Sequence, residues 1–265
     1  AIIEVNNQVW VGTEDAGIYV YSLSGTFISQ LKYDSENEQS IPSNIIRSLL
    51  HDHEGNVWIG TIEGGLSQYE PISGRFHHYR AQEVNLYSLA SNIVTALFED
   101  SAQRLWVGTD KGLHLFDRDK KHFQHFSHAN NDINSISNNM IFNLFEDAGK
   151  MIWIGTFSGV NRWDPNVATF KQFNLENKSG LNNNMINSFH QLNEEDVLIA
   201  TYGGGVNQLS LKTQLISVPD YNTQLKDKRI TVMKLHDGDL WLGTRASGIY
   251  RVNLETNDLT HYQHI

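Results

Sequence analysis

An all-β fold, a β-propeller of six four-stranded antiparallel blades, is predicted by three features of this 265-residue sequence. The first is a recurring phrase: VWVGT at 9–13, VWIGT at 57–61, LWVGT at 105–109, IWIGT at 152–156 and LWLGT at 240–244, with Leu198 of VLIAT in the tryptophan place of one more copy. The aligned positions advance in steps of 48, 48, 47, 45 and 43 residues, and a fixed period of that size marks a repeat architecture. The second is local alternation: inside each copy, apolar residues recur with period two between turn residues, the mark of short strands. The third is an absence. No stretch carries a 3.6-residue apolar period over ten or more residues, which excludes an α-solenoid of similar repeat length. Four short strands per unit, repeated, is the pattern of blades that bury their faces on one another.

The second copy shows the elements in order. Ile45 to Leu50 reads as the first strand, His51 to Gly55 as a turn, and Val57 to Thr61 as the second strand. Gly64 and Gly65 break the chain before a third strand, Leu66 to Tyr69; Pro71 to Gly74 turns it into a fourth, Phe76 to Tyr79. Applied throughout, the frame gives blades at about 1–40, 41–85, 86–133, 134–180, 181–222 and 223–265 of one propeller domain. The chain opens on a first strand, Ile2 to Val5, and closes on a fourth, Leu259 to Tyr262, so no strand is left for exchange between the termini. A second strand covered on both faces needs β-branched residues and a large flat aromatic whose indole N–H finds a backbone acceptor. The following glycine lets neighbouring backbone approach, and the threonine serves backbone groups at the strand end. Further glycines (Gly17, Gly65, Gly112, Gly159, Gly205, Gly248) precede an apolar anchor in the outer strand: Phe27, Phe76, Phe123, Phe170, Leu215 and Leu259. These tryptophans are structural and not a ligand platform.

Charge and motif content narrow the function. Lys plus Arg number 20 against 30 Asp plus Glu, a net charge of −10 with no basic block, so nucleic acid and anionic lipid are not expected partners. No apolar run approaches the ~20 residues of a membrane-spanning helix, and the first residues lack a signal-peptide pattern. With no cysteine, disulfides and thiol chemistry are out, which fits cytoplasm and periplasm equally. Nucleophile-elbow, phosphate-loop and zincin motifs are missing, and Gly203-Gly204-Gly205 falls at a strand connection. His122, His125 and His128 are spaced as on a helix, but in a strand that spacing alternates faces; with His77, His78 and His261 they belong to solvated outer strands. The acidic clusters at His51–Gly55, Glu99-Asp100, Glu146-Asp147 and His236–Asp239 sit where Asp and Gly serve turns. No cofactor, metal site or catalytic residue is therefore expected.

A binding site, if the chain has one, belongs on the face that carries the turns between second and third strands and the connections between blades. The residue after the repeated threonine varies most: Glu14, Ile62, Asp110, Phe157, Tyr202 and Arg245. Varied side chains on a constant frame suit recognition. The inter-blade connections add Asn44, Asn92, Asn139, Asn184 and Arg229. The candidate ligand-binding residues are thus Asp110, Phe157, Tyr202, Arg245, Asn92, Asn139, Asn184 and Arg229. Aromatic rings beside amides and charges fit a polar ligand such as an oligosaccharide. Asp15, Glu63 and Asp110 are the acidic residues expected near this face.

The unit SNIIRSLLHDHEGNVWIGTIEGGLSQYEPISGRFHHY resembles the two-component regulator propeller repeat. The likeness is tightest in EDSAQRLWVGTDKGLHLFDRDKKHFQHF and EDAGKMIWIGTFSGVNRWDPNVATFKQF and loosest in the fifth blade, NEEDVLIATYGGGVNQLSLKTQLISV, which lacks the tryptophan. The resemblance implies the extracytoplasmic, periplasmic sensor region of a membrane-bound receptor whose output domain, a histidine kinase or diguanylate cyclase, lies elsewhere in the parent chain. Such sensors usually hold more than six repeats, so the expectation extends to an open ring or one completed by self-association. A protein-interaction scaffold is the alternative, and a propeller lyase or glycosidase a distant one, since a glycosidase needs paired carboxylates.

Overall fold

The computed structural model describes residues 1–263; residues 264 and 265, the end of the blade expected at 223–265, lie outside the described residues. Six four-stranded sheets are present, each antiparallel and each in the order first, second, third, fourth strand. The second strands are Gln8–Gly12, Val57–Thr61, Leu105–Thr109, Ile152–Thr156, Asp196–Thr201 and Asp239–Thr244. Two compact units hold three blades each, Ala1–Ser127 and His128–Ile265, and within each unit the first strands of successive blades are neighbours. Among the described residues the one helical element is a short 3-10 turn, Asp220–Gln224, which the apolar pattern does not announce.

The tryptophan phrase is buried end to end in blades two, three and four. Its indole N–H finds a carboxylate, not the expected backbone acceptor. Trp58 donates to Asp52 (2.7 Å), Trp106 to Asp100 (2.8 Å) and Trp153 to Asp147 (2.7 Å). Each aspartate also closes the turn before the second strand: Asp52 accepts the N–H groups of Glu54 and Asn56. One acid thus holds the turn and the core together, and charge-assisted bonds of this kind are among the stronger ones. Where the tryptophan is lost so is the acid, since Leu192 and Leu198 take the two places in blade five and share one apolar cluster.

The glycine after the tryptophan also meets something other than backbone. A Cβ on Gly60 would lie 2.7 Å from Val94 of the next blade, and one on Gly155 would lie 2.8 Å from Ile186. A β-branched side chain of the following first strand fills the notch, fixing the distance between blades. The threonine behaves as expected in all six blades, its hydroxyl donating to the carbonyl of the glycine that ends the turn: Thr13 to Gly17 (2.8 Å), Thr61 to Gly65 (2.9 Å), and likewise Thr109, Thr156, Thr201 and Thr244.

Blade faces pack in one direction. Trp58 and Leu66 of blade two pack against Leu89, Val94, Leu105 and Phe116 of blade three. Trp153, Val160 and Phe173 of blade four pack against Ile186, Phe189, Val197 and Ile199 of blade five. Among the described residues, one face of blade six and one of blade one lack such a cover. In blade six Ile249, which pairs with Gly243 as Val160 pairs with Gly155, is 46% exposed against 0% for Val160. In blade one Ile2, in the place of Phe189, is 71% exposed against 7%. Phe27, an expected anchor, is exposed for the same reason. The anchor of blade five is Ile216 (9% exposed) and not Leu215 (70%): the turn is one residue longer than the frame suggests, and its fourth strand is only Ile216–Ser217.

Candidate functional site

The turns after the second strands and the lead-ins to the first strands lie along one edge of each unit, joined by backbone bonds. Each turn is tied to its own blade: Ile62 N–H donates to Ile45 C=O (3.1 Å), Phe157 to Met140 (3.1 Å), Tyr202 to Met185 (2.9 Å) and Arg245 to Arg229 (3.0 Å). Those of blades two, four and five are also tied to the blade after them: Gly65 N–H donates to Asn92 C=O (2.9 Å), Gly159 to Asn184 (2.7 Å), and Gly203 and Gly205 to Lys228 (2.9 and 3.0 Å). The frame is therefore built from backbone and the threonine hydroxyl, and the side chain after the threonine has no structural duty. In the first unit the edge carries Glu14, Ile62 and Asp110; in the second it carries Phe157, Tyr202 and Arg245. Phe157 and Arg245 are exposed and Tyr202 half-buried. Asp110 keeps one carboxylate oxygen buried with no hydrogen-bond partner.

The asparagines of the lead-ins sit on this edge, but their side chains serve the loop. Asn92 Oδ1 accepts the N–H of Ala81 (2.7 Å), Asn139 that of His128 (2.6 Å), Asn184 that of Leu175 (2.8 Å) and Asn44 that of Tyr33 (2.9 Å). Each fastens the start of an inter-blade connection to its end. The residue before each asparagine caps the strand start: the side chains of Ser91, Asn138 and Asn183 accept the N–H two residues on.

Blade six departs from this scheme. Asp227 takes the cap place, accepting the N–H of Arg229 (3.0 Å), so Lys228 and not Arg229 is the counterpart of the asparagines. Arg229 is held by both oxygens of Asp227, at 2.9 Å through Nε and 3.0 Å through Nη2. Those hydrogen bonds hold the Asp227 carboxyl down at about 2. Arg229 also bridges to Tyr202 of blade five through the backbone. An acid two residues before an arginine was the available sequence signal for this pair.

Of the outer-strand histidines, His77, His122, His125 and His128 are exposed, as expected, and His78 and His261 are half-buried. His78 makes hydrogen bonds to Ser67 Oγ (2.8 Å) and Glu38 C=O (3.0 Å), and His125 to Ser88 C=O (2.6 Å). His114, unremarked in the sequence, is fully buried: its Nε2 accepts the N–H of Ala90 (3.1 Å) and its Nδ1 donates to Val107 C=O (3.2 Å). Burial first, and His125 second, lower its pKa to about 4. Asn161 and Asn207 do the same work in blades four and five, clamping the N–H groups of Ser137 and Asn182. Away from the edge, Arg118 is ion-paired to Asp52, Glu54 and Glu99. Asp52 stays below the usual carboxylate range because bonds from Trp58, Arg118 and Asn56 outweigh its burial. Among the described residues no group of three or more His, Cys, Asp or Glu is placed to hold a metal ion.

Comparison with known proteins agrees with this architecture. The two-component regulator propeller profile matches residues 40–63 and 88–111. No curated protein sequence matches the chain. Among solved structures, the extracellular domain of a hybrid two-component system from B. thetaiotaomicron is 25% identical over 95% of this chain, with a TM-score of 0.77. A second such domain from the same organism is 21% identical over the full chain, with a TM-score of 0.62. The chain spans 33% and 43% of the lengths of these two proteins. Virginiamycin B lyase from Staphylococcus aureus, 13% identical over 99% of this chain and 83% of its own, with a TM-score of 0.68, shares the fold. The chain is a β-propeller, and two stretches of it match the two-component regulator propeller profile.

Proposed function

We propose that the chain is a non-catalytic input module of a bacterial two-component receptor, placed outside the cytoplasm, and that it binds a small polar ligand such as an oligosaccharide along the edge described above. The observation that carries this reading is the edge itself. A frame of backbone bonds and threonine hydroxyls holds six different residues, acidic, apolar, aromatic and basic, and two of them, Phe157 and Tyr202, are rings on the edge of one unit. Rigid scaffolding beneath freely chosen side chains is the arrangement of binding loops, and an accessible ring beside polar groups is suited to the face of a sugar. The repeat match and the likeness to extracellular domains of hybrid two-component systems support the same placement. Among the described residues no helix is long and apolar enough to cross a membrane, so the anchor and output domain belong to other parts of the parent protein.

The test is an immobilised oligosaccharide library probed with the chain and its Phe157→Ala and Tyr202→Ala variants. Binding by the parent that falls at least tenfold in either variant, with the urea midpoint unchanged, is the expected result. Binding that ignores both variants places the site elsewhere, and turnover of a bound glycan ends the non-catalytic reading. A scaffold without a small ligand has one observation in its favour: the inter-blade arms present Leu86 and Ile133 almost fully exposed. That reading predicts no glycan binding at all.

A further inference from the structure

Three positions of the edge are occupied by cations in blade six and nowhere else. The lead-in pair and the residue after the threonine are Asn44, Ile45 and Ile62 in blade two, Asn92, Ile93 and Asp110 in blade three, Asn139, Met140 and Phe157 in blade four, and Asn184, Met185 and Tyr202 in blade five. In blade six they are Lys228, Arg229 and Arg245. Lysine and arginine make up only 20 of 265 residues in a chain of net charge −10, so three in three positions is a local departure from composition. The backbone bond from Arg245 N–H to Arg229 C=O (3.0 Å) fixes the two strands side by side, and Lys228 C=O receives the turn that follows Tyr202.

The structure uses only one of these charges. Asp227 neutralises Arg229 through two bonds and leaves its guanidinium fixed in place; a further bond, from Ala246 N–H to Asp227 (3.3 Å), ties the Arg245 turn to the same carboxylate. Lys228 and Arg245 are exposed, and neither has an ion-pair partner among the described residues. Neither is needed for the frame, because each contributes to it only through backbone. Two unspent cations beside an anchored arginine and the half-buried ring of Tyr202 form a corner with a net charge opposite to that of the whole chain. At physiological ionic strength a charge is felt over about 8 Å, so the charges of this corner, and not the net charge of the whole chain, govern what approaches it.

We propose that the ligand of this edge is anionic, an oxyanion-bearing sugar whose carboxylate or sulfate sits against Lys228 and Arg245 while its ring lies on Tyr202. The proposal rests on the binding reading above and narrows it to a chemical class. Lysine supplies a compact charge and arginine a fork suited to two oxygens, and hydrogen bonds to charged groups contribute more than neutral ones.

The experiment is titration calorimetry of the chain with a galacturonate trimer, a sulfated galactose trimer and the neutral galactose trimer. Expected are binding of at least one acidic trimer, binding of the neutral trimer weaker by about tenfold or more, and a further loss of about tenfold for each of Lys228→Gln and Arg245→Gln with the melting temperature unchanged. The two acidic trimers separate carboxylate from sulfate. Added sodium chloride weakens the acidic complex and leaves a neutral one alone. Equal binding of neutral and acidic trimers, indifference to both charge variants, or no acidic binding overturns the proposal. If the neutral trimer binds as tightly as the acidic ones and Tyr202→Ala removes it, the anionic assignment falls while the edge remains the site. If acidic trimers bind regardless of Tyr202→Ala, Lys228→Gln and Arg245→Gln, both fall.

Discussion

At the scale of single residues, the pairing of tryptophan with an aspartate six positions earlier is the main device of the core in blades two, three and four. Sequence alone separates the two, because one reads as a packing residue and the other as a turn former; only the hairpin register brings Asp147 under the Trp153 indole. The aspartates were legible as turn residues and the tryptophans as core, but not their bond. Blade five supplies the control, with leucine in both places. Trp153→Leu alone leaves a buried carboxylate without its donor and is expected to cost about 2–5 kcal/mol. Asp147→Leu alone orphans the indole and opens the turn. The double variant copies Leu192 and Leu198, so its cost should fall short of the sum by about 1–3 kcal/mol. Urea unfolding of the three variants measures this coupling, and strict additivity would show that the bond does not act as a unit.

At the scale of elements, the strands were readable because the phrase repeats intact, whereas the connections vary in length and hide their partners. The slip from Leu215 to Ile216 and the unannounced turn at Asp220–Gln224 both fall in the stretch where blade five loses its motif residues. The clamp on the lead-in of blade three belongs here as well. His114 holds Ala90 N–H only while its ring is neutral, with Nε2 free to accept. In the unfolded chain a histidine titrates near 6.5; in the fold this one titrates at about 4. The unfolded state therefore binds the proton first. The stabilisation is whole above pH ~6.5 and is lost as pH falls towards 4, on the order of 3 kcal/mol in all. His125, edge-on at 4.7 Å, adds to the downward shift of His114. His114→Asn, which borrows the residue of blades four and five, should keep the clamp and flatten the profile between pH 7 and 4. An unchanged profile in that variant would assign the acid sensitivity to another group.

At the scale of the whole molecule, the direction of blade packing explains where substitutions hurt. Val160 and Ile249 occupy one place in the repeat, one covered by the next blade and the other open. Val160→Lys buries an ammonium with no partner and should cost several kcal/mol or prevent folding. Ile249→Lys should stay within about 1 kcal/mol. Comparison of urea midpoints decides it, and similar losses in both variants would mean that the open face is covered in solution. The repeat number and the order of strands were fully legible, since every blade obeys one rule. The candidate edge was legible as a place, while the burden carried by its asparagines and the Asp227 pair was not, because side chains that serve backbone look no different in sequence from side chains that serve a ligand.

The threonine latch has a consequence for how such a surface can change. Its hydroxyl and the flanking backbone bonds fasten every turn without the help of the next side chain, so that position behaves like a socket with an interchangeable fitting. Six sockets can be refitted one at a time, and each exchange leaves the core beneath it undisturbed. Descendants of one ancestral propeller could diverge in what they recognise by single steps, with no step requiring a compensating repair.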